Sequence, residues 1–244
     1  MKFKTCCLVV LLAIIALQLN GPRKTKAETR PLQCVAGRTA APVGFWNWPS
    51  NSKVSVYLRQ PDFSSDYAEA VRIAVENWNA TAATNGSNVT FAFKGLTNEG
   101  RTGHGDMTII RGEVFNKKER HLGLLEAHSL KNDQLIDYAV VLIDHRVRTP
   151  AVLTNVVTHE IGHTLGLLDC YHCEQMSTAM GLMKSANESN GIDGPTACDL
   201  VSVATAYREL AARVKPSPKP IIIKTTEDEG EEPEAEDTPI VRRP

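Results

Sequence analysis

The feature that most constrains this chain is the segment 159–163 (HEIGH), followed by Gly166 and Asp169. Two histidines four residues apart on a helix lie on one face, one turn from each other, so both imidazoles can reach a single metal ion. Glu160 stands next to the first histidine, where its carboxylate can reach a water on the metal without being a ligand. The pattern of two histidines and one glutamate at this spacing occurs by chance in roughly one chain of this length in thirty. The requirement for Gly166 and Asp169 as well lowers that chance by a factor on the order of several hundred.

Gly166 and Asp169 predict how the chain completes the site. A helix that must stop and turn after His163 needs a residue that tolerates positive φ, and glycine is that residue. The turn would bring Asp169 back toward the metal, which gives three protein ligands, His159, His163 and Asp169. Three ligands leave the fourth tetrahedral position open for water, as hydrolytic zinc sites require. We therefore predict one catalytic zinc ion, with Glu160 as the general base.

Three other interpretations of this segment stay open at the level of sequence. The histidines could belong to a buried helix and satisfy only core hydrogen bonds. His172 could replace Asp169 as the third ligand, or Cys170 and Cys173 could themselves bind metal. The spacing from Gly166 favours Asp169.

Apolar periodicity predicts one domain, residues 45–214, which is long enough to bury its own core. Alternating or continuous apolar runs predict strands, and apolar residues at helical spacing predict a helix with Trp78 in the core. The predicted strands are 53–59, 88–94, 106–111, 122–130 and 138–144, and the predicted helices are 66–82, one from 151 through the histidines, and 195–212.

The extended motif resembles the signature of the metzincin zinc endopeptidases, His-Glu-x-x-His-x-x-Gly-x-x-His followed by a methionine turn. Asp169 takes the place of the third histidine, as in the snapalysin-type minority of that superfamily. The order of elements is similar to that of matrixins, which implies an α+β fold with a twisted, mixed five-stranded sheet and three main helices. The resemblance also implies that Met180 is the turn methionine beneath the metal, with Met183 as the other candidate. By the same resemblance, segment 122–130 is an edge strand that holds an extended peptide substrate antiparallel.

The first 27 residues predict a signal peptide. Two lysines precede an apolar run over 6–19, which is shorter than the roughly twenty residues of a transmembrane helix. A permanent anchor is the weaker alternative, so we expect no stable membrane span after signal removal. Residues 28–44 are predicted as an N-terminal linker. The expected location is secreted or extracellular, or periplasmic in a bacterium.

Export implies that the remaining cysteines, Cys34, Cys170, Cys173 and Cys198, form disulfides. Four cysteines allow three pairings, and we expect two bridges. A bridge between Cys170 and Cys173 would fix the turn that holds Asp169. In matrixins a propeptide cysteine, accompanied by an arginine and an aspartate, occupies the open zinc position. The residues around Cys34, 32–37, include neither partner, so a structural disulfide is the better interpretation.

Residues 215–244 predict a disordered tail, rich in proline and then acidic. The segment 227–237 holds eight acidic residues and no basic one, too repulsive to form a core. The whole chain has a net charge of −1, so the domain without this acidic segment is mildly basic. That positive charge is too weak to predict nucleic-acid binding. We expect a monomer that acts on a protein or peptide substrate.

These features predict a secreted zinc-dependent endopeptidase. The competing hypothesis is a non-catalytic, zinc-stabilised surface or binding protein derived from such an enzyme. Glu160 argues against it, because a site without catalysis has no chemical need for that carboxylate. A third hypothesis keeps the fold but hydrolyses a small amide, and the predicted edge strand favours peptides instead.

Overall fold

The computed structural model describes residues 33–60, 62–114, 121–129, 134–174, 176–181, 191–213 and 222–224. The predicted signal peptide, Met183 and most of the predicted tail lie outside these ranges. Within them, none of the helices has both the length and the apolar character needed to cross a membrane.

The described residues form an α+β fold of three helices and eight strands. The helices are α1 (Ser65–Asn79), α2 (Pro150–Thr164) and α3 (Ala197–Arg213). The strands are β1 (Val43–Asn47), β2 (Lys53–Arg59), β3 (Thr90–Thr97), β4 (Asp106–Gly112), β5 (Gly123–His128), β6 (Tyr138–Asp144), β7 (Leu165–Leu167) and β8 (Ile222–Lys224).

The main sheet has the strand order β3-β2-β4-β6-β5, with β8 outside β5. The first four strands run parallel, whereas β5 is antiparallel to both β6 and β8. The predicted mixed five-stranded sheet and three helices are confirmed. β6 is a nearly continuous apolar run, as expected for a central strand, whereas buried and more exposed residues alternate along β2 and β3. β5 lies at the side of the sheet where antiparallel pairing begins.

β8 lies inside the stretch 215–244 that the sequence predicted as a disordered tail, and here the structure differs from the prediction. Its residues Ile222–Lys224 pair antiparallel with β5, with Ile223 opposite Ala127. The prediction rested on the acidic run after 226 and overlooked the isoleucines that precede it. Isoleucine favours extended backbone because its branched Cβ restricts its torsions.

Residues 34–44, predicted as part of the linker 28–44, pack on the domain, so the structured chain starts before the predicted boundary at residue 45. A disulfide joins Cys34 to Cys198 at the start of α3. Ala41 is 1% exposed, and its carbonyl accepts a 2.8 Å hydrogen bond from the hydroxyl of Ser202. β1 then pairs antiparallel with β7. The segment shows no apolar periodicity, and its sequence therefore gave no sign of this packing.

The core lies between the sheet and helices α1 and α2. Trp78, predicted as a core residue, is 1% exposed, and its indole Nε1 donates a 2.9 Å hydrogen bond to the carbonyl of Thr158. α2 begins with Pro150 at its first position, and the Thr149 hydroxyl accepts a hydrogen bond from the backbone N–H of Val152. The core thus surrounds α2 and places the histidines at its far end.

Candidate metal centre

The end of α2 sets the position of the metal-binding side chains. The helix stops at Thr164, and Gly166 follows with φ +85°, the left-handed conformation predicted for it. A methyl group at Gly166 would also lie 3.0 Å from Cγ of Asn47, whose side-chain amide donates a 3.0 Å hydrogen bond to the Leu165 carbonyl. Glycine is therefore required twice, by the backbone torsion and by the close approach of β1.

Both histidines are buried and oriented by backbone carbonyls. The Nδ1–H of His159 donates to the carbonyl of Ala179 at 3.0 Å, and that of His163 donates to the carbonyl of Leu167 at 2.8 Å. These bonds fix each ring and turn each Nε2 atom inward. This arrangement is the outer-shell pattern that supports histidine ligands in metal sites.

Asp169 lies next to both Nε2 atoms. Its Oδ1 atom is 2.8 Å from Nε2 of His159 and 3.5 Å from Nε2 of His163. Hydrogen bonds on either side hold the segment: the N–H of Leu168 donates to Pro42 at 2.9 Å, and the N–H of Cys170 donates to Met180 at 2.8 Å. The structure thus brings together the three residues that the sequence predicted as ligands.

The other candidate ligands, Cys170, Cys173 and His172, are less well placed to bind a metal than Asp169. Cys170 and Cys173 are joined in a disulfide, so neither offers a thiolate to a metal. His172 between them is exposed on the surface. The structure contains two bridges, this one and the bridge between Cys34 and Cys198, which confirms the expected number of disulfides and selects one of the three possible pairings.

Glu160 is buried beside the histidines. The ligand atoms of His159, Glu160 and His163 all lie within 4.8 Å of one another. The Glu160 side chain packs against Gly123 of β5, where a methyl group would lie 2.8 Å from its Cδ atom. Its Oε2 atom is buried and has no hydrogen-bond partner among the residues that the structure describes.

Burial and charge together shift the pKa values of the cluster. Burial raises the pKa of Glu160 to about 8. Burial also acts to lower the pKa of His159, but the hydrogen bond and charge of Asp169 outweigh it and raise that pKa to about 9. For His163, farther from the carboxylate, burial prevails and lowers the pKa to about 4.

Met180 lies directly beneath the metal-binding helix. It is fully buried, and its sulfur contacts Gly162, where a methyl group would lie 3.3 Å from the Met180 Cε atom. Gly162 stands between the two histidines in sequence, so its lack of a side chain lets the methionine pack under both. Met183, the other candidate for the turn methionine, is outside the described residues.

Asp199 supports the methionine segment and was not identified from the sequence. It is fully buried at the start of α3 and accepts hydrogen bonds from the Thr178 hydroxyl and, at 2.8 Å each, from the N–H groups of Ala179 and Thr196. Ala179 in turn holds the ring of His159 through its carbonyl. An acidic residue at the start of a helix is common, and nothing in the sequence connects this one to the histidines.

The side chains fit a metal of zinc type. Two imidazole nitrogens and one carboxylate oxygen converge, each imidazole is oriented through its other nitrogen, and a buried carboxylate oxygen stands beside them without a partner in the described part of the chain. Mixed nitrogen and oxygen donors of this kind bind zinc.

Comparisons with known proteins add little to this description. No protein-family model matches the sequence, and no curated protein matches it. Among solved structures, the chain is similar to the structure of myroilysin, with 15% sequence identity and a TM-score of 0.39, over 69% of this chain and 98% of that chain. A likeness at this level carries no inference about chemistry, so the function must be argued from the residues themselves.

Proposed function

We propose that this chain is a secreted zinc endopeptidase of metzincin type, matrixin-like in fold. His159, His163 and Asp169 hold the zinc ion, and Glu160 acts as the general base. The observation that carries the proposal is the buried Glu160 carboxylate next to the ligand cluster, its Oε2 atom without a partner among the described residues. An unpartnered buried carboxylate destabilises a fold, and catalysis gives a physical reason for retaining it.

A zinc ion held by these residues supplies a Lewis acid, which polarises a carbonyl oxygen and makes water more acidic. The chain supplies the proton transfer. Glu160 accepts a proton from the attacking water and returns it to the nitrogen of the departing amine. Burial raises the pKa of Glu160 in the metal-free chain, which makes its carboxylate a stronger base than an exposed one.

Asp169 distinguishes this site from one with three histidines. A carboxylate ligand lowers the net charge of the metal centre, so the water becomes less acidic than it would with a neutral third ligand. Glu160 then carries more of the deprotonation. The disulfide between Cys170 and Cys173 follows Asp169 directly and stiffens the turn that presents it.

The proposed substrate is an extended peptide. β5 borders the metal centre through Gly123, and its outer edge there, before the residues that pair with β8, can bind an extended chain by main-chain hydrogen bonds. This geometry suits a peptide better than a small amide, which would leave the strand unused. The two disulfides support an oxidising compartment outside the cytoplasm. We further propose that the enzyme acts as a monomer.

The deciding experiment compares the secreted chain with its Glu160→Ala variant and with Glu76→Ala, a matched removal of a carboxylate from the exposed face of α1. Zinc content and cleavage of unfolded casein are measured on all three proteins. We expect one zinc ion per chain throughout, and a loss of activity of about 10²–10⁴-fold in Glu160→Ala alone, the usual contribution of a general base.

Two outcomes would overturn the proposal. If the wild-type chain binds zinc but cleaves neither casein nor a library of unfolded peptides, the non-catalytic binding protein becomes the better hypothesis. If Glu160→Ala retains full activity, Glu160 is not the base.

A further inference from the structure

The outer edge of β5 is occupied by the chain's own C-terminal segment. In the antiparallel register of β8, Ile222 lies opposite His128, Ile223 opposite Ala127, and Lys224 opposite Glu126. An open strand edge offers a row of backbone N–H and C=O groups to any extended peptide. Here three residues that follow the folded domain have taken part of that row.

The backbone groups that β8 uses can be identified from the pairing of β5 with β6. The N–H of Asp144 donates to the carbonyl of Leu122 at 3.0 Å, so the backbone groups of Leu122 point toward β6. Alternation along the strand then turns those of Gly123, Leu125 and Ala127 outward. β8 therefore takes the outward groups of Ala127, opposite Ile223.

The same outward row leads to the metal centre. Gly123, at one end of it, packs against Glu160. Glu126, the first β5 residue with a partner in β8, is three residues farther along, about 10 Å at the usual rise of a strand. The described residues of β8 thus lie beside the site without reaching Glu160. This segment blocks the edge and is not itself placed for cleavage.

We propose that β8 is an internal competitor of the substrate. A peptide that lies along β5 and extends from Gly123 past Ala127 needs the backbone groups that β8 occupies, and one set of groups cannot serve two strands. Long peptides therefore bind only to molecules in which β8 has left the edge, whereas peptides that end before Glu126, the first β5 residue opposite β8, do not overlap it. This inference rests on the proposed peptidase function.

The length of β8 fits a segment that can be displaced. It has three residues, so it makes few hydrogen bonds with β5. Prolines stand at positions 216, 218 and 220 of the sequence before it, and proline has no N–H to donate to a ladder. A substrate that pairs with the whole of β5 forms more bonds and can replace it.

The test uses the full secreted chain with Ile223→Pro, which removes the N–H that faces Ala127, and Ile223→Val as the matched control that keeps it. KM is measured for a long peptide that spans β5 and for a short one that does not reach Glu126. If β8 occupies the edge in about nine molecules of ten, Ile223→Pro lowers KM for the long peptide about tenfold. We expect Ile223→Val to match wild type and the short peptide to show no change.

Two further measurements test the same inference, one by hydrogen exchange and one by adding the segment as a separate peptide. Exchange of the Ala127 amide hydrogen should become faster in Ile223→Pro, because its partner strand has left. A synthetic peptide of residues 219–226, added to Ile223→Pro, should inhibit cleavage of the long peptide competitively and restore the wild-type KM.

The outcomes separate this inference from the proposed function. Hydrolysis with the same KM for the long peptide in wild type and Ile223→Pro overturns the internal competitor and leaves the peptidase intact. Unchanged exchange at Ala127 also overturns it, whatever the kinetics. Absence of hydrolysis in every variant, with zinc bound, overturns the peptidase, and the competitor with it.

Discussion

Helices α1 and α2 have the same length, fifteen residues, and pack against each other, yet they bury different shares of their surface. α1 buries one stripe and leaves its other face in solvent. α2 is buried on every side, without interruption from Val152 to Thr164. The apolar stripe of α1 is formed by Ala70, Val71, Ala74, Val75 and Trp78.

The polar residues of the two helices differ accordingly. On α1, Arg72 forms exposed ion pairs with Glu69 and Glu76. On α2, each buried polar side chain must find a partner inside the protein: Thr154 donates to the carbonyl of Ala70 at 3.2 Å, and Asn155 donates to that of Ile192 at 2.6 Å. The unpartnered Oε2 atom of Glu160 departs from this rule. We attribute this exception to the proposed role of Glu160 as a general base.

The largest change in stability is expected from a substitution at the most crowded position of α2. Gly162→Ala would normally favour a helix, but here the new methyl group meets Met180, and overpacking of this kind costs about 1–3 kcal/mol. We expect a lower midpoint in urea unfolding. In the background of Met180→Ala, the same substitution should be neutral or stabilising, since the clash is gone. Equal destabilisation in both backgrounds would show that crowding at Met180 is not the cause.

A smaller change in stability is expected at the first residues of the two helices, where α2 has a side-chain cap and α1 has none. The Thr149 hydroxyl accepts a hydrogen bond from the N–H of Val152, whereas Ser64 makes no side-chain cap bond at the start of α1. Thr149→Ala should therefore lower the free energy of unfolding by about 1 kcal/mol, and Ser64→Ala by much less. Urea denaturation of both variants measures the difference. Equal losses would mean that Ser64 caps α1 in solution.

The smallest effect is expected on the exposed face of α1. Arg72→Ala removes both of its ion pairs, but solvent-exposed pairs contribute little to stability. Thermal unfolding should show no resolvable change in midpoint at moderate salt. A clear loss that disappears at high salt would reveal a stabilising charge network and would weaken the contrast between the helices.

Sequence reasoning succeeded where a pattern is local. α1 was predicted from its apolar stripe at 66–82 and is observed at Ser65–Asn79. α2 has no such stripe because it is buried all round, and the spacing of its histidines identified it instead. The left-handed turn at Gly166 also follows from a local requirement for glycine after a helix.

Sequence reasoning failed where the cause is distant. The support of the methionine segment by Asp199, the packing of Gly123 against Glu160, and the pairing of β1 with β7 all join residues far apart in the chain. None of these residues has a neighbour in sequence that reveals its partner. The pairing of β8 was missed for the same reason, because a three-residue strand has no stable form without the edge it binds.

The sequence by itself determined which atoms are available for chemistry: two imidazoles one helical turn apart, a carboxylate beside the first, and a glycine and an aspartate at the spacing of a turn. Helix periodicity and backbone torsions are local properties, so these features need only neighbouring residues. The tertiary structure alone decided that Asp169 meets both Nε2 atoms, that Glu160 is buried against Gly123, and that the edge of β5 is occupied. Such contacts depend on how distant segments pack, because burial is a property of the whole fold.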